Sequence, residues 1–283
     1  MGAPMVAQLR QGGFEVRVHD SDHDRAARLA ATTGASVAAR LADLSGVEVV
    51  ICMLPNSNVV DQVVGAGGGL LDLLSRGSLI VDMGSSQPDH TIRLEALASD
   101  RGIGLVDAPV SGGVARARTG ELTVMFGGAA DVLERARPLL EAVGSQIFHV
   151  GPVGSGHALK SLNNLLSAIG LTAAAEVIEV GRRFGLDPTV MLEVINTSTG
   201  RNHATETKIA QQVLNEQFAS GFLLRLMLKD IGIASEIARS QGVSTPLGDA
   251  CVEIWKRAAE TQPPDADQTA IARLPQAGGP RDA

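Results

Sequence analysis

The chain has no tyrosine, a single tryptophan (Trp255) and six phenylalanines among its 283 residues. So thin an aromatic complement argues against a base-stacking platform for nucleic acid. No tract of lysine and arginine is present and the net charge is −7, so the electrostatic footprint of a DNA or RNA binder is missing too. Cysteine is scarce: Cys52 and Cys251 stand in unrelated contexts. They support neither a disulfide framework nor a CxxC metal knuckle, and they suit a reduced, cytoplasmic setting. The histidines (His19, His23, His90, His149, His157, His203) include no HxH or HExxH pair, so no metal site is expected. No apolar run is expected to reach membrane-span length, and the start of the chain lacks the pattern of a secretory leader. No G-x-S-x-G elbow occurs, and Lys160 does not directly follow Gly156 as a P-loop lysine would.

What is present is a chain 45% apolar and 19% charged, long enough for two domains with real cores. The first half alternates short apolar runs with amphipathic stretches. Strands are expected at Phe14–His19, Val47–Leu54, Ser78–Met83, Gly104–Val110, Leu122–Phe126 and Gln146–Val150. Helices are expected at Asp22–Thr32, Pro88–Arg101 and Ala130–Ala142. Several strands are continuously apolar and β-branched, as strands covered on both faces are. The pattern predicts an α/β fold with a Rossmann-type, doubly wound parallel sheet. The second half reads as all-α: one long apolar helix over His157–Phe184, then Pro188–Asn196, Asn202–Glu216, Phe222–Ser240 and Pro246–Ala259. The expected division is a dinucleotide-binding domain over 1–153, a helical substrate and oligomerisation domain over 154–274, and a frayed tail over 275–283.

A dinucleotide fold opens with a strand, G-x-G-x-x-G, a helix, and then an acid after the second strand. Here Gly2 can only be the last glycine of that fingerprint, and Asp20 ends the strand that follows. A carboxylate at Asp20 would hold the ribose hydroxyls and repel a 2′-phosphate, favouring NAD, with NADP possible. The alternative is a helix N-cap, since Asp20 and Asp22 both precede the next helix. The sheet is thus expected to be truncated at its first strand, leaving edges whose unpaired amides cost about 1–3 kcal/mol each. A strand and two glycines are expected upstream of Met1.

Three motifs carry chemistry. Asp107-Ala108-Pro109-Val110-Ser111-Gly112-Gly113 follows a strand, Gly154-Ser155-Gly156-His157-Ala158-Leu159-Lys160-Ser161-Leu162-Asn163-Asn164 opens the long helix, and Leu226-Met227-Leu228-Lys229-Asp230 lies in a later one. Lys160 and Asn164 share a helix face. A positive charge near a helix start is disfavoured by the macrodipole, which suits a group that must release its proton. Successive amides at Ser111, Gly112 and Gly113 form either an anion nest or an ordinary tight turn. Lys229 and Asp230 could be a surface pair, but the apolar run around them argues for burial.

In this order, with Met53-Leu54-Pro55, Gly120-Glu121-Leu122-Thr123, Ser198-Thr199-Gly200-Arg201 and Asp267-Gln268-Thr269-Ala270, the motifs resemble the β-hydroxyacid dehydrogenase family of the 3-hydroxyisobutyrate dehydrogenase type. The resemblance runs from Gly2 to about Leu274. It implies a Rossmann-type domain followed by a helical one, and NAD(P)-dependent hydride transfer at the hydroxyl carbon of a small hydroxy acid. It makes Lys160 the catalytic acid/base and Asn164 its orienting partner. Ser111, Gly112 and Gly113 become the substrate-carboxylate site, and Lys229 a contact for substrate and nicotinamide. Gly2, Asp20, Leu54, Pro55 and Ser85 become cofactor residues. Ser85 lies in Gly84-Ser85-Ser86, where the family has Ser-Thr-Ile, and keeps a hydroxyl. The resemblance further implies a homodimer or homotetramer, a small carboxylate substrate, and no nucleic-acid or membrane partner. The rival reading is a cofactor-deficient family member acting as a binding or oligomeric module.

Overall fold

The computed structural model describes residues 1–65 and 67–274; the expected tail, 275–283, lies outside the described residues. The chain forms two compact units, Met1–Lys160 and the stretch from Ser161 onward.

The first unit runs α1 (Gly2–Gln11), β1 (Arg17–Val18), α2 (His23–Thr33), β2 (Ser36–Val37), β3 (Val49–Cys52), α3 (Ser57–Val64), α4 (Leu70–Leu73), β4 (Leu79–Asp82), α5 (Pro88–Ser99), β5 (Gly104–Asp107), β6 (Val110–Ser111), α6 (Gly113–Thr119), β7 (Leu122–Gly127), α7 (Ala130–Val143) and β8 (Gly144–Gly151). The strands β3, β4 and β5 are parallel, with Val49 opposite Leu79 and Leu79 opposite Gly104. Along β4 the side chains alternate between two cores. Leu79 and Val81 pack with Met5, Leu9, Phe126 and Leu140, while Ile80 packs with Val60, Leu94 and Leu105. Both faces are therefore covered, and the strand is apolar at successive positions rather than at every second one.

The sheet is in two pieces. β1 pairs with β2 alone, and the other strands follow the order β3-β4-β5-β7-β6 with β8 on β7. Thus β2-β1 and β3-β4-β5 hold the two flanks of a doubly wound sheet, and among the described residues no strand joins β1 to β3. As expected of an incompletely flanked strand, β3 is only half-buried over most of its length, whereas β4 is buried throughout.

Four expectations need correction. The strand placed at Phe14–His19 pairs only over Arg17–Val18, because it has a partner on one side. The strand placed at Gly104–Val110 breaks into β5 and β6 at Ala108-Pro109, where proline lacks the ladder N–H. The sheet is not parallel throughout: β7 runs antiparallel to both β5 and β6, because the connection from β6 to β7 is too short for a parallel crossover. Finally β2, α3, α4 and α6 were not anticipated; β2 is two exposed residues with no apolar pattern to betray it.

In the second unit, the remainder of α8 (Ser155–Phe184) is followed by α9 (Pro188–Asn196), a π-helical segment (Ala204–Val213), α10 (Leu224–Ser240) and α11 (Pro246–Thr261). Asp187 caps α9 by accepting from the Thr189 N–H at 2.7 Å, and Pro188 takes its first position. The core is built on Leu171, Ile178, Ile209, Ile231 and Trp255. The buried Trp255 indole donates to Thr172 Oγ1 at 2.9 Å, so its one polar atom is satisfied. Against expectation, an 18-residue window of α8 is long and apolar enough to cross a membrane. Half of that window is buried inside the protein, as in the core helix of a packed domain.

Candidate active site

The residues expected to hold a cofactor are set out at the C-terminal ends of parallel strands, where this architecture places its ligands. The first turn of α1 carries no acidic residue, and its free amides and positive dipole end suit a phosphate. A Cβ on Gly2 would lie 3.8 Å from the Met53 side chain, so this helix start adjoins the end of β3, where Leu54 and Pro55 follow. After β4, a Cβ on Gly84 would stand 2.8 Å from the Leu54 carbonyl oxygen; only glycine allows that approach. Buried Asp82 holds the turn by accepting from the Gly84 N–H at 3.0 Å and Ser86 Oγ at 2.7 Å, which presents half-buried Ser85 between them. Gly2, Leu54 and Ser85 are thus brought to one end of the sheet.

Asp20 follows β1. The cap of α2 is Asp22, whose carboxylate accepts from the Arg25 N–H at 2.9 Å. Capping is therefore accounted for without Asp20, which accepts from the Asp22 N–H at 2.9 Å and keeps its second oxygen 3.4 Å from Arg25 Nη1. An anionic group standing just past β1 fits a ribose, and a helix start beside β3 and β4 fits a pyrophosphate. The residues present accommodate a dinucleotide.

The Ser111-Gly112-Gly113 segment is a helix start rather than a turn between strands. Gly112 and Gly113 have φ of +125° and +67°, a pair that ordinary side chains resist. A Cβ on Gly112 would lie 2.7 Å from Arg116 Cδ. The stem of Arg116, one turn on, therefore packs against the side of Gly112 where a Cβ would stand. Sequence reasoning missed Arg116, because the (i, i+4) relation that places it exists only once α6 is a helix.

The α8 residues are anchored in two ways. Asp107, at the end of β5, accepts from the Gly154 N–H at 2.7 Å and the His157 N–H at 2.8 Å. Burial pushes its carboxyl above the ordinary carboxylate range, while His157 and the two backbone donors pull the other way. In the second unit, Asn164 Nδ2 donates to Asp230 Oδ2 at 2.6 Å, and Lys229 Nζ lies 3.1 Å from Asp230 Oδ1. Asp230 is 1% exposed. The predicted residues Asn164 and Lys229 are therefore brought together by Asp230, whose central place was not foreseen. Its signal was an acid inside an apolar helical run. Lys160 is half-buried on α8, one turn before Asn164.

Residues 1–151 match the family described as the NAD binding domain of 6-phosphogluconate dehydrogenase, and residues 154–275 match the family described as NAD-binding of NADP-dependent 3-hydroxyisobutyrate dehydrogenase. The chain belongs to the β-hydroxyacid dehydrogenase family. This β-hydroxyacid dehydrogenase is 36% identical over 281 residues to the NAD-dependent L-serine dehydrogenase of Pseudomonas aeruginosa, covering 97% of this chain and 94% of that one. It is 37% identical to the 3-hydroxyisobutyrate dehydrogenase of the same organism, covering 88% and 85%. Among solved structures, Mycobacterium tuberculosis 3-hydroxyisobutyrate dehydrogenase with L-serine superposes with a TM-score of 0.89 at 33% identity, covering 96% of this chain and 94% of the other. The protein is an NAD(P)-dependent oxidoreductase of hydroxy acids. Burial pushes the Cys52 thiol far up and that of Cys251 to about 11, away from the thiolate that a nucleophile requires.

Proposed function

We propose that this β-hydroxyacid dehydrogenase oxidises a three- to four-carbon hydroxy acid bearing one carboxylate, or reduces the matching semialdehyde, with Lys160 as the acid/base. The observation that carries this reading is α8 itself: Lys160 and Asn164 lie on one face of a helix whose start is pinned by Asp107. Lys160 accepts the hydroxyl proton during oxidation and returns it during reduction. Asn164 has its amide nitrogen held by Asp230 and accepts from Asn163 Nδ2 at 3.4 Å on its carbonyl oxygen, whose second lone pair orients the reacting hydroxyl. The amides at Ser111, Gly112 and Gly113 take the carboxylate, and Lys229 adds a cation to the substrate and nicotinamide side. Gly2, Leu54, Pro55 and Ser85 hold the cofactor, with Asp20 on its ribose and NAD preferred to NADP. When bound, that cofactor supplies the hydride acceptor.

The domain functions follow the same division: cofactor binding over 1–153, substrate binding and oligomerisation over 154–274. The partner is a second copy, as homodimer or homotetramer, and the setting is the cytoplasm, without membrane or nucleic acid. The oligomer is supported by α8, where Leu162, Leu166, Val177, Val180 and Phe184 are all exposed. At 100° per residue these five fall within about 60° of one another, a single apolar stripe. The reading is tested by steady-state turnover of 3-hydroxyisobutyrate, glycerate, 4-hydroxybutyrate, threonate and L-serine with NAD and with NADP. At least one acid should be oxidised, faster with NAD; no turnover of any of them with either cofactor contradicts the reading.

A further inference from the structure

Asp107 is fully buried at the end of β5; its hydrogen-bond donors are backbone amides, and the His157 ring stands beside it with Nδ1 3.8 Å from Oδ2. Its two oxygens are divided between the N–H groups of Gly154 and His157, at 2.7 and 2.8 Å. Both donors lie at the opening turn of α8, among the amides that no helical carbonyl can satisfy, and the positive helix end favours the carboxylate. The approach is close enough to require glycine on both sides. A Cβ on Gly127 would stand 2.5 Å from Asp107 Oδ1, and one on Gly156 would meet Asp107 Oδ2 at 2.8 Å and collide with the Met125 carbonyl.

The His157 ring closes the clamp from the other side. It is fully buried, with Nδ1 2.9 Å from Thr91 Oγ1. Thr91 Oγ1 also donates to the Gln87 carbonyl at 3.3 Å, which holds the hydroxyl against the ring. Nε2 faces Asp82 Oδ2 at 3.7 Å. The opening of α8 is thereby tied by hydrogen bonds to the end of β5 and to α5. Lys160 comes one helical turn after His157 and is carried on that same rigid segment. An ordinary cap at Gly154 would satisfy the same amides without tying the helix to the sheet.

We propose that Asp107 is a positioning residue: by capping α8 from the end of β5, it fixes where Lys160 stands for proton transfer. The inference rests on the acid/base reading of Lys160 given above. Displacement by about 1 Å at a reacting group can cost two orders of magnitude in rate.

Asp107→Asn keeps the shape but turns an amide NH2 toward one of the two N–H donors. Hydrogen exchange of the purified chain, without cofactor or substrate, should speed up at least about tenfold at the amides from Gly154 to Lys160 and change less than about twofold in β3 to β5. With the acid turned over fastest in the panel, kcat should fall about thirtyfold, while KM and the NAD dissociation constant stay within about threefold. Under single-turnover conditions, adding Asp107→Asn to Lys160→Ala should cause no further loss, because the group being placed is gone. Unchanged exchange at the opening of α8, kcat within threefold of the parent, or equal losses in both backgrounds each overturns the proposal. Exchange that opens across the whole first unit overturns it too, by making Asp107 a general stabiliser. Normal turnover by Lys160→Ala alone would instead remove the acid/base reading, and the exchange result would still report on the cap.

Discussion

Asp230 divides one carboxylate between an amide and a cation: Asn164 on Oδ2 and Lys229 on Oδ1. Removing it leaves a buried amide without its acceptor, at about 1–3 kcal/mol. It also leaves Asn164 free to turn its nitrogen toward the reacting oxygen. Asp230→Ala should therefore lower kcat by at least about tenfold, or ~1.4 kcal/mol in the barrier, with NAD affinity nearly unchanged in a fluorescence titration. Asp20 is proposed for the cofactor side. Removing its charge in Asp20→Ser should cut the preference for NAD over NADP in kcat/KM by about tenfold, the effect of deleting one repulsive charge beside a 2′-phosphate. An unaltered ratio would place the ribose elsewhere. At this scale the motifs name Lys160, Asn164 and Ser111 as candidates for the roles proposed above. The sequence paired Asp230 with Lys229 and expected burial, but it did not reach the Asp230 contact with Asn164, the Asp107 contacts with α8 or Arg116, which depend on neighbours distant in the chain or on a helix not yet recognised. It left the cap of α2 open between Asp20 and Asp22, and the structure gives it to Asp22.

At the scale of elements, α8 shows where pattern reading succeeds and where it stops. Its length and helical state were legible from an unbroken apolar run, but its anchorage was not, since the acceptor lies in β5. Gly156→Ala should destabilise the first unit by about 1–3 kcal/mol in chemical denaturation, because its Cβ would press on the Met125 carbonyl and the Asp107 carboxylate. At the far end, Glu179 accepts from Arg182 at 2.8 Å and from Arg183 at 2.7 Å. These hydrogen bonds hold its carboxyl down to about 2. A depressed carboxylate stabilises fully above its ordinary value, and the contribution is lost as pH falls toward 2. The stability difference between the parent and Glu179→Gln should be largest near neutrality and should shrink steadily below about pH 4.5; a difference independent of pH would contradict this. The strands divide along the same line. β4 was legible because both faces are buried, whereas β2 was too short and exposed to leave a pattern. The direction of β7 depended on a short connection that periodicity does not report.

For the whole molecule, the two-unit plan was readable from the change from alternating to helical periodicity near Gly151. The split between β1 and β3 was readable from the incomplete glycine fingerprint. The apolar stripe of α8 was foreseen only as excess surface; its exposure at Leu166 (72%), Val180 (68%) and Phe184 (83%) marks where a second copy is expected to dock. Leu166→Glu with Val180→Glu should shift the mass measured by light scattering from oligomer to monomer, while the circular dichroism spectrum is retained. An unchanged mass would move the interface to another face. The central claim is narrower and concerns one amine. The most direct test is kcat of Lys160→Ala on the best acid of the panel, measured alongside NAD binding. The account predicts a fall of about 10²- to 10⁴-fold, the usual worth of a general acid/base, with the NAD dissociation constant within a few-fold of the parent. Turnover close to that of the parent enzyme would contradict it.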